Sequence, residues 1–539
     1  MTFTWLLAST LAVTEAQKSH TKGTLRNALD RQQFSHFPYQ DRKDPSDPNI
    51  SNYTHTQNMA STKKLHLSIL NQTTYRRYIR DLIILPFPDI SRSDDALRAL
   101  RAGLSLRFFT IHILAGSLIT NPAMSFLEAT YPDPLPFNVG DIMLVSNDAY
   151  AADPELDYHA MEKEGFPPSR LPSRKVCPLS LQKHPGLSDS YAKACTDPTH
   201  GVPIPILRAQ APFVPRGLIL SVYWHHSVVD GAAIDLLFEK WSSYVKDFKD
   251  DFDFDSAASK IVQVDSSAHR LALDAFMSDP QPVPSYEPLA VQPDKHPRPV
   301  VRSEPYKSVA KIVFLPAASI AALKAELEAL AATRISTFVT LTSLMWENVI
   351  RARGPSLKAA GTETIALGIA VHLGKRLGPD FPQDYTGNLA PPDTMRYPFS
   401  DITGTPDFNA THLLPLALAM KATIAEASPE WLEERLRYFS SFPDPSQVFT
   451  GTFFANTACM FVTSWQHLGA DLVWGIPGTN ADGRASALRK PSYLSEGMRI
   501  LPRRDEEDAD YQMLVIYEEG DMGRLIEGLG DYADRVIEG

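Results

Sequence analysis

The clearest pattern in this chain is a strand-like apolar run followed at once by a helix-like one. The run LILSVYW, residues 218–224, is apolar apart from one serine and is typical of a buried β-strand. After it, apolar side chains recur at helical spacing at Ile234, Leu237, Phe238, Trp241 and Val245. The polar segment HHSVVDG, residues 225–231, is therefore predicted at a strand-to-helix turn, where a fold can present a reactive group on a rigid base.

The same two hydrophobic periods alternate along the rest of the chain. Further strands are predicted at residues 142–145, 310–315 and 513–517. Helices are predicted at residues 93–103, 120–130, 319–332, 337–353 and 522–536. The mixture predicts an α/β fold class, and no sequence repeat marks the chain as a solenoid or a propeller.

Composition along the chain predicts its domain organisation. Residues 1–62 are polar and lack periodicity, which is typical of a flexible N-terminal extension. Residues 278–305 are dense in proline and too long for an ordinary turn, so we interpret them as an extended crossover linker. The segments on either side, residues 63–277 and 306–539, are each long enough to bury a core and are predicted to be two domains.

Charge and cysteine usage exclude several classes of function. The 539 residues carry a net charge of −11, which argues against nucleic acid as a partner, and an anionic ligand would need a local cluster of basic side chains. The three cysteines, Cys177, Cys195 and Cys459, form no CxxC pair and no Cys/His cluster. This spacing argues against a disulfide framework and a structural zinc site, and we expect no bound metal.

Apolar stretches bear on where the protein acts. Residues 5–13 form a short apolar run with no charged segment before it, so the signal-peptide pattern is weak. No stretch reaches the roughly 18 uncharged apolar residues that a transmembrane helix needs. The sequence therefore predicts a soluble, cytoplasmic protein without a membrane span.

His226 and Asp230 carry the candidate chemistry of the polar turn. A neutral imidazole held there can take a proton from an alcohol or an amine that attacks an acyl group. From the local sequence, a buried core histidine is an equally good interpretation, and an Asp-Gly pair before a helix is often a turn and a cap. A second HxxxD spacing, from His467 to Asp471, lacks both the preceding histidine and the following glycine, and we interpret His467 as incidental.

Several segments, in their order and spacing, resemble the motifs of one enzyme family. They are LSILNQ (67–72), HHSVVDG (225–231), RISTFVTLTSLMWENVIRAR (334–353), DYTGN (384–388), VTSW (462–465), DLVWG (471–475) and ILPRR (500–504). The family is the BAHD, or HxxxD, superfamily of acyl-CoA-dependent acyltransferases. The chain is most similar to the fungal branch of the trichothecene 3-O-acetyltransferase type, from residue 65 to the C-terminus.

The resemblance implies two similar chloramphenicol-acetyltransferase-like domains, each a mixed β-sheet with flanking helices, joined by a long crossover loop. Acyl-CoA and the acceptor would enter a shared tunnel from opposite sides, with His226 at the domain interface as the general base. Such a tunnel aligns both substrates and excludes water, which limits hydrolysis of the thioester. We expect a monomer with no permanently bound cofactor, which uses acyl-CoA, above all acetyl-CoA, as co-substrate and a small-molecule alcohol as acceptor.

The resemblance also implies roles for other motif residues. Asp230 is expected to orient the turn and to hold His226 in place. Thr463 or Ser464 could donate a hydrogen bond to the developing oxyanion, although a plain strand-edge hydroxyl is an equal alternative. The other supporting positions are His225, Gly231, Asn388, Asp471, Trp474 and Gly475. Cations for the CoA phosphates are predicted, by charge alone, at Lys375, Arg376, Arg489 and Lys490.

Three departures from the family pattern affect this interpretation. Asn71 replaces an aspartate of the family's opening motif, and DLVWG lacks the phenylalanine and the first glycine of the family's DFGWG motif. Gly374 stands where members often have an arginine that pairs with the HxxxD aspartate. Either Arg376 or Lys375 serves instead, or Asp230 is held differently, and the sequence leaves these alternatives open.

The predicted function is transfer of an acyl group, above all acetyl, from acyl-CoA to a hydroxyl group of a fungal-type secondary metabolite. An alternative is a stand-alone condensation-type enzyme that forms amides from a carrier-bound donor, against which the DLVWG element argues. A further alternative is a non-catalytic binding protein on the same scaffold. The presence of His226 argues against it, because such a protein need not keep the base. A zinc enzyme is disfavoured because adjacent histidines such as His225 and His226 rarely face one metal.

Overall fold

The computed structural model describes residues 61–539 with several gaps. The gaps are residues 122–124, 137, 148–149, 183, 188–200, 250–251, 265, 276–306, 380, 383, 405–407, 449–458 and 492–496. The predicted linker at 278–305 and residues 1–60 of the predicted extension thus lie outside the described residues, whereas the last two residues of that extension, 61 and 62, belong to a strand. Among the described residues, Asp253–Ile261 fall in a different unit from Ser61–Phe252 and Val262–Gly539.

Strands and helices alternate along the described residues, as the two hydrophobic periods predict. The strands are β1 Ser61–Leu65, β2 Tyr78–Pro86, β3 Ser117–Thr120, β4 Leu127–Asp133, β5 Leu144–Asn147, β6 Ile204–Pro205, β7 Leu207–Val214, β8 Gly217–His225, β9 Ser308–Leu315, β10 Thr364–Ala370, β11 Pro392–Pro398, β12 Cys459–Ser464, β13 Ala487–Arg489, β14 Gly497–Ile500, β15 Tyr511–Glu518 and β16 Arg535–Glu538. The helices are α1 Ile69–Thr73, α2 Ser93–Thr110, α3 Val139–Met143, α4 Tyr158–Glu164, α5 Ser173–Val176, α6 Leu179–Gln182, α7 Gly231–Lys246, α8 Phe254–Ser259, α9 Ser266–Asp274, α10 Ala317–Ala331, α11 Thr337–Ala359, α12 Phe399–Thr403, α13 Ala410–Glu426, α14 Pro429–Ser440 and α15 Glu519–Leu529. None of these helices is long and apolar enough to cross a membrane.

Helix α8 belongs to the unit that includes Asp253–Ile261 and is described by itself. It begins after Asp253, whose carboxylate accepts a hydrogen bond of 3.0 Å from the amide of Ser256. This is the usual way in which an aspartate satisfies an unpaired amide of the first helical turn.

In the N-terminal half, residues 61–252 and 262–274, a five-stranded sheet has the order β13-β2-β8-β7-β5. Strand β8 is buried at every position because separate apolar clusters cover the two faces of the sheet. Helix α7 packs on one face through Ile234, Leu237, Phe238, Trp241 and Val245, the side chains whose spacing predicts the helix. A second sheet of this half has the order β1-β4-β3-β6.

In the C-terminal half, residues 307–539, a seven-stranded mixed sheet has the order β11-β10-β12-β14-β15-β9-β16. Strands β10, β12 and β14 are parallel, and the outer pairs are antiparallel. Helix α11 lies in the core of this half and runs past its predicted end at residue 353, through Pro355, to Ala359. Gly354 and Leu357 of this extra turn are buried, so tertiary packing outweighs the helix-breaking tendency of proline.

One segment of the C-terminal half completes the sheet of the N-terminal half. Strand β13 pairs antiparallel with β2, with Leu488 opposite Ile83. Just before it, Trp474 is fully buried and contacts Trp241 edge to face, with the ring centroids 5.4 Å apart. The added strand covers an otherwise open sheet edge, so the two halves share both a sheet and a core.

The structure corrects three predicted elements. The helix predicted at 120–130 is wrong, because β3 and β4 pair there as an antiparallel hairpin. The strand predicted at 142–145 begins inside helix α3, and the strand itself starts at Leu144. The helix predicted at 522–536 ends at Leu529, because Gly530 takes a positive φ of 49°. The chain then returns as β16 beside β9, a pairing between distant residues that local periodicity does not reveal.

We predict that Trp474→Ala lowers the free energy of unfolding by about 3–5 kcal/mol, since it removes a large ring from the shared core. Urea unfolding followed by circular dichroism measures this loss. Leu330→Ala is the matched control, because Leu330 is 46% exposed and its truncation creates no buried cavity. Equal stability of the two variants would contradict a core shared between the halves.

Candidate active site

His226 stands directly after β8, at the point where the two halves of the protein meet. Its backbone amide donates a hydrogen bond of 2.8 Å to the carbonyl of Arg77, which precedes β2. The ladder between these strands pairs Tyr78 with His225, so Arg77 stands opposite His226. Side chains at opposite positions leave the same face of a sheet, and neighbours along a strand leave opposite faces. Arg77 and His226 therefore share one face, and His225 points to the other.

His226 is partly exposed as a residue, whereas its Nδ1 atom is buried and accepts or donates no hydrogen bond of good geometry among the described residues. Burial lowers the pKa of His226 to about 4, and the positive charges of Arg77 and Lys490 act in the same direction. The carbonyls of His226 itself and of Val229 partly oppose this shift in pKa. The ring is therefore neutral at pH 7, and Nε2 is the nitrogen left for a ligand.

His225 is fully buried and orients the turn from behind. Its Nδ1 accepts a hydrogen bond of 3.2 Å from the amide of Ser227, so the ring proton lies on Nε2. Burial lowers the pKa of His225 to about 3, and the positive charge of Arg76 acts in the same direction. A ring without access to solvent supports the turn and does not face a substrate.

Asp230 joins the two halves through backbone amides. It caps helix α7, where its Oδ1 accepts a hydrogen bond of 3.0 Å from the amide of Ala233. Its Oδ2 accepts a hydrogen bond of 2.8 Å from the amide of Leu389 in the C-terminal half. The sequence leaves open which group holds Asp230 in place of the arginine that Gly374 replaces. In the structure, two backbone amides hold the Asp230 carboxylate. Arg376 instead donates to the carbonyls of Ile424 and Ala427.

The DYTGN segment holds the turn from the C-terminal half. Asn388 donates a hydrogen bond of 2.8 Å from Nδ2 to the carbonyl of His226, next to the bond between Asp230 and Leu389. The sequence predicts the DYTGN segment as a family motif, and in the structure this segment is hydrogen-bonded to the HHSVVDG turn. Gly231 has open space beside its Cα atom, so the start of α7 leaves room next to the turn.

Arg270 is a residue of this site that sequence reasoning missed. It is fully buried on α9, and its guanidinium donates to Oδ1 of Asn71 at 3.2 Å and to the carbonyls of Val228 and Thr386 at 3.2 and 3.1 Å. One side chain thus joins the opening motif, the HHSVVDG turn and the DYTGN segment. The only local signal is that Arg270 lies three residues before the buried Leu273, on the same helical face.

The predicted hydroxyl donors lie at the end of β12. Oγ1 of Thr463 accepts a hydrogen bond of 3.2 Å from the indole of Trp465, so its own proton can be donated elsewhere. Ser464 is exposed, and its Oγ accepts from the amide of Gln466 at 3.4 Å. Among the described residues, no hydrogen bond joins either hydroxyl to the His226 turn.

The DLVWG residues lie apart from the turn and support the fold around it. The carboxylate of Asp471 accepts a hydrogen bond of 2.9 Å from the amide of Asp505. Trp474 fills the shared core, as described above. Gly475 takes a positive φ of 56° against the backbone of Lys246, a conformation that favours glycine.

The four cations predicted for the CoA phosphates differ in their surroundings. Lys375 is exposed, and Arg376 donates to the backbone as described above. Arg489 is buried and donates to the carbonyls of Gly165, Phe166 and Leu488. Lys490 is buried beside Asp81, with Nζ 2.8 Å from Oδ1, and burial lowers its pKa to about 7. Its ammonium also lies over the ring of Trp465.

Comparison with known proteins bears on this arrangement. Acyltransferase cm3D of Cordyceps militaris is 26% identical over 191 residues, which cover 34% of this chain and 36% of that protein. Trichothecene 3-O-acetyltransferase of Saccharomyces cerevisiae is 25% identical over 349 residues, 62% of this chain and 67% of that protein. The chain thus spans about a third of the first curated relative and two thirds of the second.

Solved structures share the fold. The crystal structure of F. graminearum TRI101 complexed with coenzyme A and deoxynivalenol superposes with a TM-score of 0.69 at 17% identity, covering 88% of this chain and 99% of that one. This likeness confirms the predicted fold of two chloramphenicol-acetyltransferase-like domains. A family model described as the Transferase family matches residues 191–527. Because that match covers more than half of the chain, this protein belongs to the Transferase family, the BAHD acyltransferases that its motifs resemble.

Proposed function

We propose that this protein transfers an acyl group, above all acetyl, from acyl-CoA to a hydroxyl group of a fungal-type secondary metabolite. The observation that carries the proposal is the neutral imidazole of His226, a partly exposed residue held at the junction of the two halves. Family membership supports an acyltransferase. The relatives include a trichothecene 3-O-acetyltransferase, and the TRI101 structure holds coenzyme A and a trichothecene, so their acceptors suggest the substrate class.

In the proposed mechanism, Nε2 of His226 takes the proton of the acceptor hydroxyl while the oxygen attacks the thioester carbonyl carbon. The tetrahedral intermediate then expels the CoA thiolate as the carbon–sulfur bond breaks. The imidazolium returns its proton to that thiolate, so the products are the ester and free CoA. General-base assistance of this kind is typically worth about 10²–10⁴-fold. Thr463, whose hydroxyl proton is available, is the proposed donor to the oxyanion.

The other residues of the turn have proposed positioning roles. Asp230 and Asn388 hold the turn against the C-terminal half, so a small shift between the halves would move the base. The open space beside Gly231 leaves room for a substrate. For the CoA phosphates, the exposed Lys375 is the best placed of the four predicted cations, because Arg489 and Lys490 are engaged inside the fold. We propose that the enzyme acts as a monomer in the cytoplasm, where acyl-CoA is available.

We predict that His226→Ala lowers acceptor-dependent thiol release from acetyl-CoA by at least about 10²-fold, since the base is lost. The assay uses purified protein and a panel of hydroxylated terpenoid, polyketide and alkaloid acceptors. His467→Ala is the matched control, because His467 belongs to the second HxxxD spacing and is exposed. Near-wild-type turnover in His226→Ala would refute the mechanism. Transfer from a carrier-bound donor alone would favour the condensation-type alternative.

We predict that kcat/KM falls on the acid side with an apparent pKa well below the usual 6.5 of histidine, near the value of about 4 for His226. The neutral imidazole is the active form, so activity is retained down to that pKa and lost as the pH falls through it. A profile of kcat/KM against pH measures the apparent pKa of this acid limb. The stability of the protein at low pH is checked in parallel. An acid limb centred at 6.5 would show that the surroundings of His226 do not lower its pKa.

We predict that Asp230→Asn lowers the free energy of unfolding by about 1–3 kcal/mol, because one oxygen can no longer accept from both amides. Chemical denaturation measures the loss, and Asp471→Asn is a control at a carboxylate that accepts a hydrogen bond away from the turn. A variant that folds with full stability and yet loses all turnover would give Asp230 a chemical role in place of a positioning one.

A further inference from the structure

We infer that Arg77 binds a carboxylate group carried by one of the two substrates, either the acceptor or the acyl chain of the donor. The inference rests on the proposed acyl transfer at His226, and it narrows the substrate class to molecules with an anionic group close to the reacting atoms. It assigns Arg77, which no sequence motif singles out, as a residue that determines specificity.

Arg77 is the cross-strand neighbour of the proposed base. The amide of His226 donates to the Arg77 carbonyl at 2.8 Å, one position beyond the Tyr78–His225 pair that ends the ladder of β2 and β8. Residues opposite each other in an antiparallel pair have Cβ atoms about 4.5–5.5 Å apart on the same face. The side chain of Arg77 therefore begins beside the imidazole, and its positive charge is near enough to lower the pKa of His226.

The guanidinium of Arg77 has no anionic partner among the residues that the structure describes. Its contact there is with the ring of Tyr75, whose centroid lies 4.9 Å from the Cζ atom. Arg77 is partly exposed, so the remaining donors of its guanidinium can reach a ligand. Tyr75 packs against the core of the C-terminal half and thus holds the cation at the junction of the halves.

The other cations of this region differ from Arg77, because each has partners inside the protein. Lys490 pairs with Asp81 at 2.8 Å. Arg270 donates to three oxygen atoms, and Arg76 donates to the carbonyl of Ser125. Arg77 thus lies beside the proposed base as a cation whose positive charge a bound anionic ligand can neutralise.

Chemistry limits what that ligand can be. The positive charge of Arg77 contributes to the lowered pKa of His226 and so weakens the base, and a bound anion would offset that effect. The phosphates of CoA are separated from the thioester by the whole pantetheine arm, so they cannot reach a residue opposite the base. A carboxylate near the acylated hydroxyl, or at the end of a short dicarboxylic acyl chain, can reach it and fits a guanidinium in two hydrogen bonds.

The experiment compares matched pairs of substrates, with one arm for each source of the carboxylate. In the acceptor arm, hydroxylated aromatic and terpenoid acids are compared with their methyl esters, with acetyl-CoA as donor. In the donor arm, malonyl-CoA is compared with acetyl-CoA on one neutral acceptor. The proteins are wild type, Arg77→Gln, Arg77→Lys and the adjacent control Arg76→Gln. Tryptophan fluorescence titrations with the same compounds report binding even without turnover.

We expect one arm to show a preference for the anionic substrate that falls about 10- to 100-fold in Arg77→Gln, as for a lost charged hydrogen bond. Arg77→Lys should restore part of this preference, and Arg76→Gln should keep it. An unchanged ratio in both arms would overturn the inference, as would an equal loss with all substrates, which would indicate an oxyanion donor. Absence of any transfer would refute the proposed function, and the binding titrations would still decide on Arg77.

Discussion

The structure around the candidate site depends on hydrogen bonds between the HHSVVDG turn and the DYTGN segment. The carboxylate of Asp230 accepts from Leu389, and Asn388 donates to the carbonyl of His226, so each half of the chain fixes the other. Arg270 strengthens this junction from a third segment. A buried polar network of this kind specifies one arrangement, because each group that lost its partner would stay desolvated without a hydrogen bond.

Burial also decides the electrostatics of the site. Taking an imidazole out of water disfavours its charged form, so both histidines of the turn are neutral, as a proton acceptor must be. A buried cation likewise needs a partner inside the protein. Lys490 pairs with Asp81, and Arg489 donates to backbone carbonyls. Arg77 differs because it is partly exposed, so that water or a bound ligand can stabilise its positive charge.

The agreement between sequence and structure follows the range of the interactions involved. Helix α7 follows its apolar periodicity, because residues three and four apart meet the same core whatever the rest of the chain does. Residues 127–130 and 535–536, predicted as helix, lie in β4 and β16, because pairing with other strands outweighs local preference there. The motifs identify His226, Asp230 and Asn388 as residues of one site, whereas neither Arg270 nor Arg77 belongs to a motif.

The sequence by itself determined the α/β class, the family and the turn that carries His226, because these depend on local periodicity and on motifs that are contiguous in the chain. Only the tertiary structure decided how Asp230 is held, that β13 and Trp474 complete the N-terminal half, and which cations are engaged inside the protein. Those features join residues that are distant in sequence. Their energies come from burial and from cross-chain hydrogen bonds, which no local pattern records.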